Sequence, residues 1–323
     1  MPGPDAAAIS PVPEITASPS TARSRTAVSH LSDWVTLLKP RVVSLVLFTA
    51  IVGLVLAPGR IDPVRATAAL LCIAAGAGAA GAMNMWYDRD IDALMRRTAG
   101  RPVPSGRIAP LAALAFGLVL AVASALSMAL VTNVVAATAL AGSIAFYVVI
   151  YTMWLKRRTP ENIVIGGAAG ALPPVIGWLA VTGRLEVLPV LMFAIVFCWT
   201  PPHFWSLSLW AHADYERAGV PMLPVVAGAR ATRRRIFVYS IVLTVLTLLP
   251  SALQLTGPAY GLAAAGLGVG FLSRSWRVLR DQQDNDGISK TRDAPARKLF
   301  KYSIVYLFAL FAALAVDHFV LIG

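Results

Sequence analysis

Charged residues are scarce in this 323-residue chain, at 14%, whereas hydrophobic residues make up 57% of it. Soluble domains carry about 25% charged residues, so the composition argues against a water-soluble globular protein. A membrane-spanning helix needs roughly 20 mostly apolar residues, whereas a membrane-spanning β-strand needs about 10 of alternating polarity. The apolar runs here are long and do not alternate. They predict an all-α fold, a polytopic transmembrane helical bundle.

Cysteine and acidic residues are also few. The two cysteines, Cys72 and Cys198, lie inside apolar runs, which excludes a disulfide framework and a cysteine-rich metal site. Lys and Arg number 28 against 16 Asp and Glu, for a net charge of +12. A balance this basic raises the question of nucleic acid. The basic residues occupy short connections between apolar runs, where they act as topology signals, so we expect no nucleic-acid partner.

The first 30 residues lack any long apolar run. They are rich in Pro, Ala, Ser and Thr, a composition that cannot bury enough surface to order itself. No short apolar segment precedes the first long run, which argues against a signal peptide, and Asp5 and Glu14 argue against a transit peptide. We therefore expect a disordered cytoplasmic tail at 1–30 and a membrane domain at 31–323.

Nine apolar runs are candidates for membrane spans. The eighth is short and rich in Gly and Ala, which makes it the weakest of them. The predicted spans are residues 35–57, 64–86, 108–130, 134–155, 162–183, 187–209, 236–254, 258–274 and 298–322.

Basic residues are distributed unevenly between the two sides that nine spans define. Of the 28, only Arg60, Arg65 and Arg184 fall outside the tail and the alternate connections that share its side. Because connections rich in Lys and Arg stay in the cytoplasm, we expect a cytoplasmic N-terminus and an external C-terminus. The two longest internal connections follow spans two and six on the cytoplasmic side. We expect the active site at that face.

The end of the second span carries a row of polar side chains. Asn84, Asp88 and Asp92 are four residues apart, so a continuing helix places them on one face, while Asp90 points away. Carboxylates near a bilayer need a compensating cation. Hard oxygen ligands favour Mg²⁺, which is usually held by one or two carboxylates together with substrate phosphates. The row predicts a magnesium site, although a single Asp here would be an ordinary solvated helix end.

A polar connection follows this row. Residues 96–107 (RRTAGRPVPSGR) contain several arginines, which suit an anion of several charges. Row and connection together resemble the UbiA superfamily of membrane prenyltransferases, whose first motif is N-x-x-x-D-x-x-x-D followed by R-T-x-x-R-P-x-x-S-G. The matching residues are Asn84, Asp88, Asp92, Arg97, Thr98, Arg101, Pro102, Ser105 and Gly106.

Further stretches are similar to the branch of this superfamily that farnesylates haem b. They follow the family order and extend the resemblance over nearly all of the chain after residue 30. They are Lys39-Pro40-Arg41, residues 151–178 (YTMWLKRRTPENIVIGGAAGALPPVIGW), residues 199–210 (WTPPHFWSLSLW) and residues 214–226 (DYERAGVPMLPVV).

The resemblance implies transfer of a farnesyl group from farnesyl diphosphate to a vinyl group of haem b, giving haem O, in the inner membrane of a bacterium. Haem b is then a substrate, and the implied cofactor is Mg²⁺ held by Asp88, Asp92 and Asp214, with Asn84 orienting the diphosphate. Implied partners are a downstream haem-modifying enzyme or oxidase assembly factors. The implied phosphate-neutralising side chains are Lys39, Arg41, Arg97, Arg101, Lys156 and Arg157.

Two further features admit two interpretations each. The aromatic residues Trp86, Tyr87, Tyr147 and Tyr151 could stabilise an allylic carbocation, or form an ordinary interfacial belt. The small-residue runs 74–81 and 166–171 could line a groove for the isoprenoid tail, or only let helices pack closely.

Some positions depart from the superfamily pattern or stand outside it. Ala218 lies four residues after Asp214, so the second acidic pair of many relatives is absent, and His212 stands where many have Lys. His203 follows Pro201 and Pro202, whose missing N–H groups could interrupt the helix and open a pocket. His203 is therefore a candidate haem-binding residue or a core histidine, whereas incidental roles are expected for the remaining histidines, His30 and His318.

Three other functions remain open. A sister prenyltransferase acting on an aromatic acid or quinone precursor would share the first motif, and only the later stretches argue against it. A secondary transporter would place its charged site near the bilayer midplane. A non-catalytic assembly factor for a haem enzyme needs no carboxylate row.

Overall fold

The described part of the chain is helical. The computed structural model describes residues 29–284, 287 and 289–322, so the predicted tail at 1–30 lies almost wholly outside the described residues. In that part of the chain no strand occurs, only an isolated antiparallel bridge between Gln283 and Ser289. In chain order the helices are α1 (Leu31–Leu37), α2 (Pro40–Leu56), α3 (Pro63–Tyr87), α4 (Arg89–Leu94), α5 (Pro110–Val131), α6 (Val134–Ala145), a π-helix (Phe146–Leu155), α7 (Asn162–Ala171), α8 (Pro173–Thr182), α9 (Val187–Trp210), α10 (His212–Arg217), α11 (Leu223–Val226), α12 (Gly228–Ala252), α13 (Pro258–Leu279) and α14 (Ala294–Ile322).

Each predicted span coincides with one helix or with two consecutive helices. Within the described ranges, seven helices are long and apolar enough to cross a membrane, and the bent pair α1–α2 makes eight if it is one broken span. The remaining predicted span, 258–274, is α13, which is rich in Gly and Ala and is not among them. The chain is a multi-pass membrane protein, and the expected count of about nine is approximate.

The first predicted span is broken at Lys39. Helices α1 and α2 meet at an angle of 50°. Lys39 has a left-handed backbone with φ of 52°, and Pro40 begins α2. Proline has no N–H to continue the helix and disfavours the helical conformation in the residue before it, so the Lys-Pro pair accounts for the break. The break lies against α3 at Gly81, where a Cβ would be 3.2 Å from the carbonyl oxygen of Leu37.

Helices α2 and α8 cross with their backbones close together. A Cβ added at Gly53 would overlap the carbonyl group of Pro174. One added at Gly177 would overlap the carbonyl oxygen of Ala50. Small residues let membrane helices approach this closely, so these two glycines fix the crossing.

Helices α12, α13 and α14 are joined by buried hydrogen bonds. Asp317 of α14 accepts from the backbone N–H groups of Gly257 (2.5 Å) and Tyr260 (3.0 Å), and so caps the N-terminus of α13. The Tyr260 hydroxyl donates to the carbonyl oxygen of Thr247 in α12 (2.8 Å). Tyr306 of α14 donates to the Thr247 hydroxyl (3.3 Å). A buried carboxylate is tolerated only when it is hydrogen-bonded, and the α13 amides meet that need.

Two long connections meet at one end of the bundle. Helix α4 and the connection after it pack against α10 and the turn that follows it. The buried apolar residues that form this contact are Ile91, Met95, Ile163, Tyr215, Ala218, Val220 and Met222. The connections after the second and sixth predicted spans therefore enclose a common region.

Candidate active site

The predicted polar row forms on one face. Helix α3 ends at Tyr87, but the N–H of Asp88 bonds the Asn84 carbonyl (2.9 Å) and the N–H of Asp92 bonds the Asp88 carbonyl (2.8 Å), which carries the helical spacing into α4. Asn84, Asp88 and Asp92 are 3%, 0% and 2% exposed. Asp90 is exposed and points away, so the predicted geometry of the row is confirmed.

Asn84 and Asp88 are held by side chains from two other helical segments. Lys39, at the α1–α2 break, donates to Asn84 Oδ1 (2.7 Å). Asn84 Nδ2 donates to Asp88 Oδ2 (2.7 Å) and to Thr152 Oγ1 in the π-helix (3.1 Å). Lys156, just after the π-helix, also donates to Asp88 Oδ2. Lys39 and Lys156, two of the six predicted phosphate-contacting side chains, thus hydrogen-bond to this part of the row.

Asp92 is paired with Arg101 from the polar connection. Arg101 Nη1 lies 2.6 Å from Asp92 Oδ2. The Thr98 hydroxyl donates to the backbone carbonyl of Asp92 (2.8 Å), which folds the connection back over the end of α4. Farther along, Arg107 Nε lies 2.8 Å from Oδ1 of Asp33, a buried residue of α1. The connection is therefore fixed at both of its ends.

Arg157 is bound by Asp90 outside the membrane-spanning segments. Two guanidinium nitrogens donate to the two Asp90 oxygens, each at 2.7 Å. These bonds hold the pKa of Asp90 below its ordinary value, and the same carboxylate raises the pKa of Arg157. The guanidinium also lies 4.8 Å from the ring centre of Tyr87. Arg157 is thus held at the rim of the site.

One oxygen of Asp88 has no hydrogen-bond partner. Asp88 Oδ1 is buried, and Arg157 Nη2 lies 3.8 Å from it. A buried anionic oxygen without a partner is costly, and hard oxygens of this kind suit a magnesium ion. Four basic side chains contact the row or Asp90, whereas the acidic side chains there are three, Asp88, Asp90 and Asp92. The excess of positive charge favours binding of a polyvalent anion. The basic residues are Lys39, Arg101, Lys156 and Arg157.

Asp214 lies on the facing connection and has a different partner. It accepts from Arg217 within α10. In the residues that the structure describes, no three His, Cys, Asp or Glu side chains form a group that could hold one metal ion. The structure therefore does not gather Asp88, Asp92 and Asp214 into one ligand set, and that assignment stays a prediction. The neighbouring Tyr215 accepts from Arg97 (3.4 Å), which links the two connections.

An apolar cavity of about 120 Å³ adjoins Lys39. It lies between α2, α3, α6, the π-helix, α7 and α8. Members of both small-residue runs line it, namely Gly76, Ala77, Ala80, Gly81, Ala169 and Gly170. Gly78 and Gly166 serve packing instead, since a Cβ there would press on Leu38 or overlap the Tyr151 ring. Members of these runs thus line a cavity and also pack closely against neighbouring helices, and a role of the cavity in binding an isoprenoid stays a prediction.

The four predicted aromatic residues separate into two pairs. Tyr147 lines the cavity, and its ring centre is 5.2 Å from that of Tyr151. Trp86 and Tyr87 lie beside Arg89 and Arg157 at the end of α3, which is typical of interfacial aromatic residues. Of the four, only Tyr147 lines the cavity, with the Tyr151 ring beside it, and the role of either in stabilising a cation stays a prediction.

The His203 side chain, on α9, packs against α14. Its ring stacks on Trp199 (4.3 Å between ring centres) and on Phe300 (4.6 Å), and Nδ1 is 2.7 Å from Ser303 Oγ. Helix α9 runs unbroken through Pro201 and Pro202, so the expected interruption is wrong. Helix α14 packs against this part of α9, and such packing between neighbouring helices lets a membrane helix continue without the two N–H groups. A haem-binding role for His203 stays a prediction.

The remaining predicted residues lie at the margins. Arg41 and Arg97 are exposed, in the first turn of α2 and in the polar connection. His212 Nδ1 is 3.1 Å from the Leu209 carbonyl oxygen. His30 precedes α1, and His318 lies near the end of α14.

Sequence reasoning identified neither Thr152 nor the pairing of Arg107 with Asp33 as part of this region. Arg107 lies in the polar connection, but its partner Asp33 is 74 residues away in sequence. Thr152 lies four residues before Lys156, and Asn84 lies four before Asp88. The equal spacings are compatible with this pairing but do not predict it, because spacing along the chain does not say which segments pack side by side.

The chain is similar to known proteins over most of its length. The model of the UbiA prenyltransferase family matches residues 46–305. A protein named Protoheme IX farnesyltransferase from Granulibacter bethesdensis is 66% identical over 293 residues, which cover 91% of this chain and 92% of that protein. One of the same name from Acidiphilium cryptum is 64% identical over 288 residues, covering 89% and 91%.

Solved structures share the fold at low sequence identity. A structure described as the UbiA homolog from Archaeoglobus fulgidus bound to DMAPP and Mg²⁺ has a TM-score of 0.63 and 17% identity, and the match covers 88% of this chain and 99% of that one. A structure concerned with Digeranylgeranylglyceryl phosphate synthase has a TM-score of 0.72 and 18% identity, covering 89% and 98%. The chain belongs to the UbiA prenyltransferase family.

Proposed function

We propose that this chain transfers the farnesyl group of farnesyl diphosphate to a vinyl group of haem b to give haem O. The observation that carries the proposal is the buried row Asn84, Asp88 and Asp92 beside an apolar cavity, where two connections meet. Relatives named for protohaem farnesylation are 66% and 64% identical over about nine-tenths of the chain, which supports haem b as the acceptor.

Basic side chains bind the diphosphate. Lys39, Arg101 and Lys156 now donate to Asn84, Asp92 and Asp88, and the same groups can donate to phosphate oxygens in charge-assisted hydrogen bonds. Arg157 lies at the rim, beside Asp88. The exposed Arg41 and Arg97 extend the basic surface toward the entering anion.

The residues present fit a magnesium ion. Asp88 offers a buried oxygen without a hydrogen-bond partner, and Asp92 lies one helical turn farther along. Asp214, on the facing connection, is the third proposed ligand. When bound, Mg²⁺ neutralises the diphosphate and stabilises it as a leaving group.

In the reaction, the bond between farnesyl C1 and the diphosphate oxygen breaks, and its electron pair leaves with the diphosphate. The π-electrons of the haem vinyl group form the new carbon–carbon bond, water adds to the resulting cation, and a proton is released. Tyr147 and Tyr151 stabilise the allylic cation and exclude water until capture. Burial of the fifteen-carbon tail contributes on the order of 10 kcal/mol at about 0.8 kcal/mol per CH₂-sized group.

The haem is proposed to contact His203. Its Nδ1 is near Ser303, so Nε2 is the ring atom left to contact the haem iron or a propionate. The alternative is that His203 only packs between Trp199 and Phe300. Spectra and haem affinity of His203→Phe distinguish the two, since loss of an iron ligand shifts the Soret band, loss of a propionate contact weakens haem binding without that shift, and loss of a packing residue does neither.

The chain is proposed to lie in a bacterial cytoplasmic membrane with a cytoplasmic N-terminus, an external C-terminus and the site at the cytoplasmic face. The basic connections support this orientation. The membrane domain is proposed at 31–323, after a cytoplasmic tail at 1–30. A haem-modifying enzyme or an oxidase assembly factor would consume or accept haem O.

The direct test uses the purified full-length protein, radiolabelled farnesyl diphosphate, haem b and Mg²⁺. We expect labelled haem that carries one farnesyl group, and loss of labelling when the metal is chelated. Label on an aromatic acid or quinone precursor instead would make the chain a sister prenyltransferase. Absence of label from any acceptor would contradict enzymatic prenyl transfer and favour a transporter or an assembly factor.

A further inference from the structure

The π-helix brings a neutral hydroxyl into the charged site. Thr152 is fully buried, and its Oγ1 accepts from Asn84 Nδ2 at 3.1 Å. Asn84 and Asp88 are four residues apart on α3, and Thr152 and Lys156 are four apart on the opposing segment. Asn84 meets Thr152, and Asp88 meets Lys156. The two segments are thus paired at two successive positions.

The orientation of the Asn84 amide follows from its charged neighbours. The Lys39 ammonium group can only donate, so it faces Oδ1 (2.7 Å). The Asp88 carboxylate can only accept, so it receives one hydrogen of Nδ2 (2.7 Å). The second Nδ2 hydrogen has Thr152 Oγ1 as its acceptor. The Lys39 and Asp88 contacts contradict the flipped amide, and the Thr152 hydroxyl, which can donate or accept, is compatible with the orientation that they fix.

We propose that Thr152 is a positioning residue for the prenyl diphosphate. It acts through Asn84, whose amide sets the spacing between the Lys39 ammonium group and the Asp88 carboxylate. Without the hydroxyl, one buried amide hydrogen lacks an acceptor, and the amide rotates away from Asp88 or Lys39 to satisfy it. This inference rests on the proposed function of the same site.

The test compares Thr152→Val, which keeps the shape of the side chain, with Thr152→Ser, which keeps the acceptor. The control is Thr232→Val, since Thr232 is equally buried but donates only to a backbone carbonyl in α12. Each full-length protein is assayed for KM and kcat with farnesyl diphosphate. Binding of non-hydrolysable farnesyl thiodiphosphate with Mg²⁺ and the melting temperature are measured on the same samples.

For Thr152→Val we expect KM to rise about tenfold or more and thiodiphosphate binding to weaken by the same factor, because the rotated Asn84 amide no longer sets the spacing between Lys39 and Asp88. Melting temperature should match that of Thr232→Val, and Thr152→Ser should resemble the wild type. Unchanged KM and binding in Thr152→Val would overturn the proposal. So would equal losses in the Val and Ser variants with lower melting temperatures, which indicate a purely structural role.

The binding measurement separates this inference from the proposed function. If the wild type binds farnesyl thiodiphosphate but forms no farnesylated haem, the proposed acceptor is wrong, and weaker binding by Thr152→Val still supports the positioning role. If the wild type farnesylates haem and Thr152→Val does so with the same KM, the positioning role alone is wrong.

Discussion

At the scale of single residues, the site consists of buried charges whose partners come from elsewhere in the chain. Asp88 is fully buried and accepts a hydrogen bond from Lys156, which lies 68 residues later. Asp92 receives Arg101 (2.6 Å). Removing one member of a buried pair leaves the other charge without a partner, which destabilises the fold. Substituting either partner is therefore expected to affect the site.

We expect Asp88→Asn and Asp92→Asn each to lower haem farnesylation by roughly 100-fold or more, because loss of a metal ligand removes several kcal/mol of charge stabilisation. The measurement is radiolabel transfer by purified variants, with melting temperature as the check on folding. Glu186→Gln, an exposed change at the start of α9, is the control and should keep full activity. Full activity in both Asp variants would contradict the metal role.

Asp90 allows a prediction of pH dependence. Its pKa lies below the ordinary 3.8 because Arg157 binds the ionised form. A lowered pKa stabilises the fold above the unfolded-state value, and this stability is lost as pH falls through the folded-state value. The melting-temperature difference between wild type and Asp90→Asn should therefore be constant between about pH 5 and pH 8 and shrink only below 3.8. A difference that disappears near neutral pH would refute the assignment.

At the scale of helices, glycine determines how closely two elements approach. The α2–α8 crossing has no space for a side chain at Gly53 or Gly177, because the neighbouring atoms are backbone. Backbone atoms cannot rotate aside as a flexible side chain can. The crossing therefore tolerates substitution poorly.

We expect Gly53→Ala to destabilise the protein by about 1–3 kcal/mol, the usual effect of overpacking. Thermal unfolding of the purified protein measures it. Gly266→Ala in α13 is the matched control, since a Cβ there meets nothing within 4 Å and alanine favours a helix. Equal melting temperatures for the two variants would show that the crossing relaxes freely.

Helix positions were predictable from sequence, but their bends and pairings were not. The length of the apolar runs predicted nine spans, and each of them is helical in the structure, because crossing a bilayer requires a helix of that length. The break at Lys39 was readable from the following proline but needed the structure to show the lysine side chain reaching Asn84. The π-helix over Phe146–Leu155 has no sequence signature of its own, so the meeting of Thr152 with Asn84 could not be foreseen.

At the scale of the whole molecule, the charge asymmetry implies one orientation. Gly100→Cys places a thiol in the exposed polar connection, and Arg184→Cys places one in an exposed connection on the other side. In intact cells a membrane-impermeant maleimide should label Arg184→Cys and label Gly100→Cys only after the membrane is opened. The unmodified chain is the background, with Cys72 and Cys198 inside helices. The reverse pattern would invert the orientation.

The polar row of the site was predictable from sequence, but the arrangement of the three proposed metal ligands was not. Four-residue spacing gave the shared face of Asn84, Asp88 and Asp92 directly, since helical geometry alone determines it. The placement of Asp214 depends on how two connections fold against each other, and spacing carries no information on that. The structure shows the connections in contact through Arg97 and Tyr215, while Asp214 accepts from Arg217.

The cap that Asp317 provides for α13 bears on how the chain enters the bilayer during synthesis. Helix α13 is less apolar than the helices that qualify as membrane spans, and two amides of its first turn are satisfied by a carboxylate that is translated about 60 residues later. Before α14 is synthesised, these amides lack their acceptor, which disfavours burial of the α13 N-terminus in the bilayer. We therefore expect stable insertion of α13 to depend on α14, so that the two helices enter the bilayer as one hairpin.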